Sequence, residues 1–246
     1  MRGFGFKKMS LVVLAFSVLI SGSAFATPIS GTSLQDVLNG ITVAPTVGVS
    51  SVNVNTDQVA GDSYWAISGS GASVATIVIE LAGYAGTNTF GIFNGSNYVE
   101  IFSGSAFAGD QAIISIKADG SVYKNFADTG VNFSGNIFGY YLNSPDGVFY
   151  SDTTKNGDLF DHMVAFQGKG IDTVALPGLA PGLWTSGEYV LAFEDLYGGG
   201  DKDYDDFVVM VESVVPVPEP STLILLGSGL LGFGFFARKR MKNIKD

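Results

Sequence analysis

The sequence has no cysteine, which excludes disulfide staples, thiolate metal sites and a cysteine nucleophile. Basic residues are scarce: 13 Lys and Arg stand against 23 Asp and Glu, a net charge of −10. Histidine occurs once, at His162, so a Ser-His-Asp triad has a single ring to build on and no serine marked as its partner. Gly-x-Ser-x-Gly, His-Glu-x-x-His and Walker patterns are absent. The residues thus predict no enzyme. Paired carboxylates for glycoside hydrolysis exist in number, but none is singled out, so a secreted glycoside hydrolase is a weak reading.

What is there begins with the two ends. Residues 1–26 read MRGFGFKKMSLVVLAFSVLISGSAFA. Arg2, Lys7 and Lys8 form a basic start, an apolar stretch follows, and Ala24-Phe25-Ala26 has the small residues of a cleavage site. This pattern predicts a signal peptide cut by signal peptidase between Ala26 and Thr27. At the other end, 222–237 holds 16 residues without a charge, followed by Arg238, Lys239 and Arg240. As a helix, that run is about 24 Å long. It spans a core of about 30 Å if the basic cluster stays at the cytoplasmic face and snorkels. Residues 238–246 are then a basic cytoplasmic tail.

Between the ends the chain is strongly acidic. Residues 27–220 carry five basic and 22 acidic side chains. Such a body repels phosphate backbones, which argues against nucleic acid as a partner and for cations. Short runs rich in Val, Ile, Phe and Tyr occur at 64–68, 74–81, 89–94, 98–103, 112–118, 121–126, 138–143, 147–151, 161–167, 188–195 and 207–214. Gly, Asn, Asp and Ser bound them. Val47, Val49, Val52 and Val54 form a further, roughly alternating stretch. Asp119-Gly120 and Asp146-Gly147 are hairpin signals. The fold class predicted is all-β: an antiparallel, jelly-roll-like β-sandwich over 27–215. One short helix is expected at LQDVLN, capped by Thr32 or Ser33 and ended by Gly40. Prolines 216, 218 and 220 alternate and predict an extended strut over 216–221 that leaves the ladder.

The C-terminal stretch VPEPSTLILLGSGLLGFGFFARKR resembles a PEP-CTERM sorting signal. Its three parts are in order: Pro218-Glu219-Pro220, the apolar run, then Arg238-Lys239-Arg240. The resemblance implies export by a Gram-negative bacterium that makes an exopolysaccharide matrix. It also implies processing near the Pro-Glu-Pro motif by an exosortase, with the tail acting as a temporary membrane handle.

The stretch YVLAFEDLYGGGDKDYDDFVVMVE is the most distinctive part of the body. In the loop 194–206, Asp201, Asp203, Asp205 and Asp206 crowd together with only Lys202 to offset them. Like charges about 4 Å apart repel by about 1 kcal/mol even in water, so a shared cation is expected. Calcium takes six to eight oxygens, and the hairpin adds Glu194 and Asp195 to the ligand set. An EF-hand is excluded, because Asp206 stands where that loop needs glycine. Strand residues 207–211 also carry Glu212 about 16 Å away. The same stretch resembles a domain family of unknown function common in bacterial surface proteins. Its hallmark is matched by Phe193-Glu194-Asp195-Leu196 and by Gly199 through Asp206, and segments upstream are similar. That resemblance implies a β-rich domain and no particular activity.

His162, beside Asp158 and Asp161, is either a metal-binding or supporting group near the acidic loop or, the reading preferred, a strand-edge histidine bonded to Asp161 or to backbone. Tyr64, Trp65, Trp184, Tyr197 and Tyr204 are candidates for stacking on sugar rings. Trp65 is read as core, and Tyr197 and Tyr204 as exposed beside the loop. Two readings of the body follow: a calcium-stabilised surface or matrix protein, and a calcium-dependent carbohydrate-binding module.

Overall fold

The computed structural model describes residues 26–69, 71–79, 86–218 and 228. The expected signal peptide up to residue 25, Glu219, Pro220, the apolar run apart from Ser228, and the basic tail lie outside these. Among the described residues no helix is long and apolar enough to cross a membrane.

Helix α1 (Ser33–Ile41) comes first, then β1 (Thr42–Ala44), β2 (Trp65–Ile67), β3 (Ser73–Ile79), β4 (Thr89–Asn94) and β5 (Asn97–Phe102). Next are β6 (Gln111–Ile116), β7 (Ser121–Lys124), β8 (Ala127–Asn132), β9 (Ile137–Ser144), β10 (Gly147–Tyr150) and β11 (Met163–Gln167). The chain closes with β12 (Thr173–Val174), β13 (Gly182–Leu183), β14 (Glu188–Phe193), β15 (Phe207–Glu212) and β16 (Val214–Pro216). All pairings are antiparallel. One sheet runs β11-β14-β15-β3-β6-β7-β8 and a second β16-β2-β9-β4-β5, with β10 also on β9. A small third sheet joins β1, β12 and β13.

The two large sheets share one core, in which Trp65, Phe90 and Tyr140 from the second sheet meet Ile77, Leu191 and Val209 from the first. Trp65 and Tyr189 meet edge to face at 4.9 Å, a geometry that contributes beyond area burial. The fold is thus an all-β, sandwich-like pair of antiparallel sheets, as the sequence predicts. The prediction is incomplete in one respect. Strands β3, β11, β14 and β15 are buried on both faces. Their outward residues, among them Val78, Phe166, Val190 and Val208, form a second core with Leu34, Leu38, Val52 and Trp184. Helix α1 and the small sheet cover the first sheet as a third layer. Leu34, Leu38 and Ile41 recur every three or four positions and make the buried stripe of the helix.

Three local expectations need correction. The valine stretch 47–54 is no strand: Val47 and Val49 are exposed, while Val52 and Val54 drop into the second core. Gly40 does not end the helix, which runs to Ile41 and closes where the Thr42 hydroxyl donates to the Leu38 carbonyl. Pro216 does not leave the ladder. It pairs with Trp65 at the sheet edge, and Val217 N–H donates to the Tyr64 carbonyl at 2.8 Å. An edge position tolerates proline because its missing N–H faces no neighbouring strand.

Candidate metal centre in the acidic loop

Strands β14 and β15 pair from Glu188↔Glu212 to Phe193↔Phe207, so their loop opens directly beyond the doubly buried part of the sheet. Glu194 is the first residue out and is still fully buried. Gly198, Gly199 and Gly200 all have left-handed backbones, at φ of +76°, +78° and +45°. Glycine is required at Gly199 on a second ground. A Cβ there would lie 2.1 Å from the Phe160 ring. Lys202 and Tyr204 are also left-handed, at φ +64° and +56°. This winding brings the loop back over Glu194.

The loop is pinned from several sides. Asp158 Oδ2 accepts from Gly198 N–H at 2.7 Å and from His162 Nε2 at 2.9 Å. Asp146, in the β9–β10 turn, accepts from Tyr197 N–H at 2.7 Å. The Ser144 hydroxyl donates to the Asp195 carbonyl at 2.7 Å. Sequence reasoning places Asp146 only in a hairpin turn and Asp158 only beside His162; it misses their bonds to Tyr197 and Gly198, which reach backbone far along the chain.

The six predicted ligands separate into three groups. Glu194, Asp201 and Asp203 converge: one carboxylate oxygen from each lies within 4.8 Å of the others. Asp195 and Asp206 pair with each other instead, Asp206 Oδ2 accepting from Asp195 N–H at 3.0 Å. Asn88 holds the Asp195 carboxylate at 2.9 Å. Asp205 turns away to α1, where it accepts from the Ser33 hydroxyl.

Glu194 carries the chemistry. Its Oε1 accepts from Tyr204 N–H at 2.7 Å. Its Oε2 is buried and has no hydrogen-bond partner. Burial first, then the charges of Asp206, Asp201 and Asp203, push its carboxyl up to about 8 against the Tyr204 hydrogen bond. Asp206 is raised to about 7 by burial and by the neighbouring aspartates. Asp203 is raised to about 6, by burial and then by Asp205. A divalent cation reverses all three effects at once. Ligand oxygens at 2.3–2.6 Å from a calcium ion stand at most about 5 Å apart, which the 4.8 Å cluster meets. The donors are all carboxylate oxygens, which suit calcium and not a soft or imidazole-seeking metal.

His162 lies beneath this centre and not in it. It is fully buried, stacked on Phe149 at a centroid distance of 4.0 Å. Its partners are Asp158 and the Glu194 carbonyl, the latter 3.2 Å from Nδ1, so the expected backbone bond is present and Asp158 takes the place of the alternative, Asp161. Hydrogen bonds from Phe160, Gly198 and His162 overcome burial and hold Asp158 at about 2. Trp65, Trp184 and Tyr204 are all fully buried, so Tyr204 is not the exposed stacking residue expected. Its left-handed backbone turns the ring inward, where its hydroxyl donates to the Asp161 carbonyl. Tyr197 does stand in solvent, 63% exposed.

Two protein-family models match the chain. A domain of unknown function, DUF4114, matches residues 108–214, which includes the acidic loop. The PEP-CTERM protein-sorting motif matches residues 216–240. The chain carries a PEP-CTERM sorting signal. No curated protein and no solved structure matches it. The signal marks an exported, membrane-transiting protein of a Gram-negative bacterium, with exosortase as its processing partner. In this PEP-CTERM protein the motif begins at Pro216, the last residue of β16, so the body and its sorting signal meet without a linker. Pro218 is already exposed.

Proposed function

We propose that this PEP-CTERM protein is a non-enzymatic component of the cell surface or exopolysaccharide matrix, and that calcium bound in the acidic loop stabilises its β-rich body. On this reading signal peptidase frees the N-terminus and the C-terminal run holds the chain in the inner membrane. Exosortase then removes the basic tail. The observation that carries the calcium reading is Glu194, whose Oε2 is buried and unpartnered and whose carboxylate has an oxygen within 4.8 Å of oxygens of Asp201 and Asp203. A buried carboxylate oxygen without a partner is costly, and a cation shared with two further carboxylates removes the cost. The test is the melting temperature of the body, residues 27–217 so that the last sheet bonds are kept, in excess chelator and then in millimolar calcium. A ligand at about 100 times its dissociation constant adds about 2.7 kcal/mol, a shift of several degrees at this size. Identical melting in both buffers overturns the reading. For the sorting part, the intact mass of the cell-associated form should lack residues 238–246.

Calcium-dependent sugar binding is the second reading. Tyr197, exposed in the loop that would hold the ion, favours it. Glycan binding that appears only with calcium and disappears in Tyr197→Ala would select it.

A further inference from the structure

The first described residues are held by contacts that the cation centre does not use. Thr27 is clamped through three atoms. Its N–H donates to Gln58 Oε1 at 2.7 Å, its hydroxyl donates to Asp161 Oδ2 at 2.5 Å, and its carbonyl accepts from Gln58 Nε2 at 2.8 Å. Ser30 extends the attachment, its N–H donating to the Lys202 carbonyl at 2.7 Å. Ala26, just before the clamp, is exposed. The peptide bond that the leader pattern marks for cleavage therefore sits at the rim of a built site.

That site is built on carboxyl groups, and no ion pair among the described residues reaches it. Asp161 and Asp62 are both half-buried, and Asp62 lies close enough to feel the Asp161 charge. Burial raises both carboxyls above their usual range. For Asp62 the Asp161 charge adds to this; for Asp161 the Thr27 hydroxyl, the Met163 N–H and the nearby His162 oppose it. Among the described residues the ion pairs are His162–Asp158 and Lys169–Asp57, and neither includes Asp62 or Asp161. In the uncleaved chain the Thr27 nitrogen is an amide with one hydrogen, already used on Gln58. It offers the carboxylates no charge.

We propose that hydrolysis of the Ala26–Thr27 bond completes this site: the new Thr27 α-ammonium stays on Gln58 and pairs with Asp161, whose carboxylate already accepts from the Thr27 hydroxyl, locking the mature N-terminus into the fold. One water is consumed. Ala26 leaves with the new carboxylate, and the Thr27 nitrogen takes up a proton, as an α-amino group of ordinary pKa near 7.7–8.0 largely does at neutral pH. The ammonium has three hydrogens; one keeps the Gln58 bond and two are free for the Asp161 carboxylate. Charge-assisted bonds of this kind are about twice as strong as neutral ones. An opposite charge within about 4–6 Å also favours the ionised carboxylate. The N-terminus thereby becomes a fastener for the segment leading into α1. The proposal rests on the reading that the leader is removed after Ala26.

The full chain is exported in a Gram-negative host, purified in detergent, and its N-terminus read by intact mass. In a second form Gly-Ser is inserted between Ala26 and Thr27, which keeps the cleavage sequence and moves the ammonium two residues out. The native form should begin at Thr27 and melt roughly 3–8 °C above the insertion form. Asp161→Asn should erase that difference when placed in both. Where Asp161→Asn does not fold, the insertion comparison decides alone. A native N-terminus other than Thr27 overturns the cleavage reading and the proposal with it. Thr27 at the N-terminus with equal melting of the two forms overturns the ammonium site while leaving the cleavage reading intact.

Discussion

At the scale of single residues, Glu194 has one oxygen satisfied by Tyr204 N–H and one oxygen with no partner. In Glu194→Gln the carbonyl keeps the Tyr204 bond, and the new amide can donate to Asp201 and Asp203. The variant should melt at least as high as the parent in chelator and gain nothing from calcium; a persisting calcium shift would remove Glu194 from the site. Asp205 separates from its neighbours in the same assay. Because it faces Ser33, Asp205→Asn should keep the calcium shift, whereas Asp203→Asn should lose most of it. Gly199→Ala should cost about 2 kcal/mol or more, with or without calcium. Its Cβ would strike the Phe160 ring from a left-handed backbone. The sequence exposes the crowding of carboxylates in 201–206 and the part of Glu194. It does not show which aspartates converge, because that depends on the left-handed turns at Lys202 and Tyr204, where glycine gives no warning.

At the scale of elements, the runs that became β2 to β7, β9 to β11, β14 and β15 are legible because β-branched and aromatic residues dominate them. The third layer is written less openly. Leu191 and Val209 face one core while Val190 and Val208 face the other, so these strands show no polar alternation. An unbroken apolar run signals burial on both faces, but not what covers the second. Strand β8 is illegible for the opposite reason: ADTGVN is polar and mostly exposed, and becomes a strand only through its pairing with β7. Strand β16 hides behind its proline. It matters for processing, since Val214 is fully buried and Val217 still bonds to Tyr64. Val214→Ala should cost about 2 kcal/mol, read as a lower melting temperature. Removal of the tail within Pro218-Glu219-Pro220, by contrast, should leave the body's melting temperature unchanged, because the last sheet bond among the described residues, Val217 to Tyr64, lies before the cut. A body that melts several degrees lower after processing would show that the ladder extends further.

At the scale of the whole molecule, the acidic excess is concentrated enough to give the body an unusual pH response. In the metal-free chain the folded state holds the Glu194, Asp206 and Asp203 carboxyls up to about 8, 7 and 6. Unfolded, the same groups release their protons near pH 4. Between about pH 4 and pH 8 the native state therefore binds more protons than the unfolded one, and stability falls as pH rises. Asp158, held at about 2, and Asp57, lowered by its bond to Lys169, act in the other direction. Their contributions are present above the unfolded pKa and are lost as pH falls towards 2. The chelated protein should therefore be most stable near pH 4–5. Calcium binds the ionised carboxylates, so it must displace those protons at low pH and meets little competition at pH 8. Melting in chelator should fall from pH 5 to pH 8, while melting in calcium should hold or rise. The calcium-induced shift should be small at pH 5 and several degrees at pH 8. A shift of equal size at both would mean that the ion, if it binds, does not bind through Glu194. The raised carboxyls would then reflect only the crowding of charge around a buried glutamate.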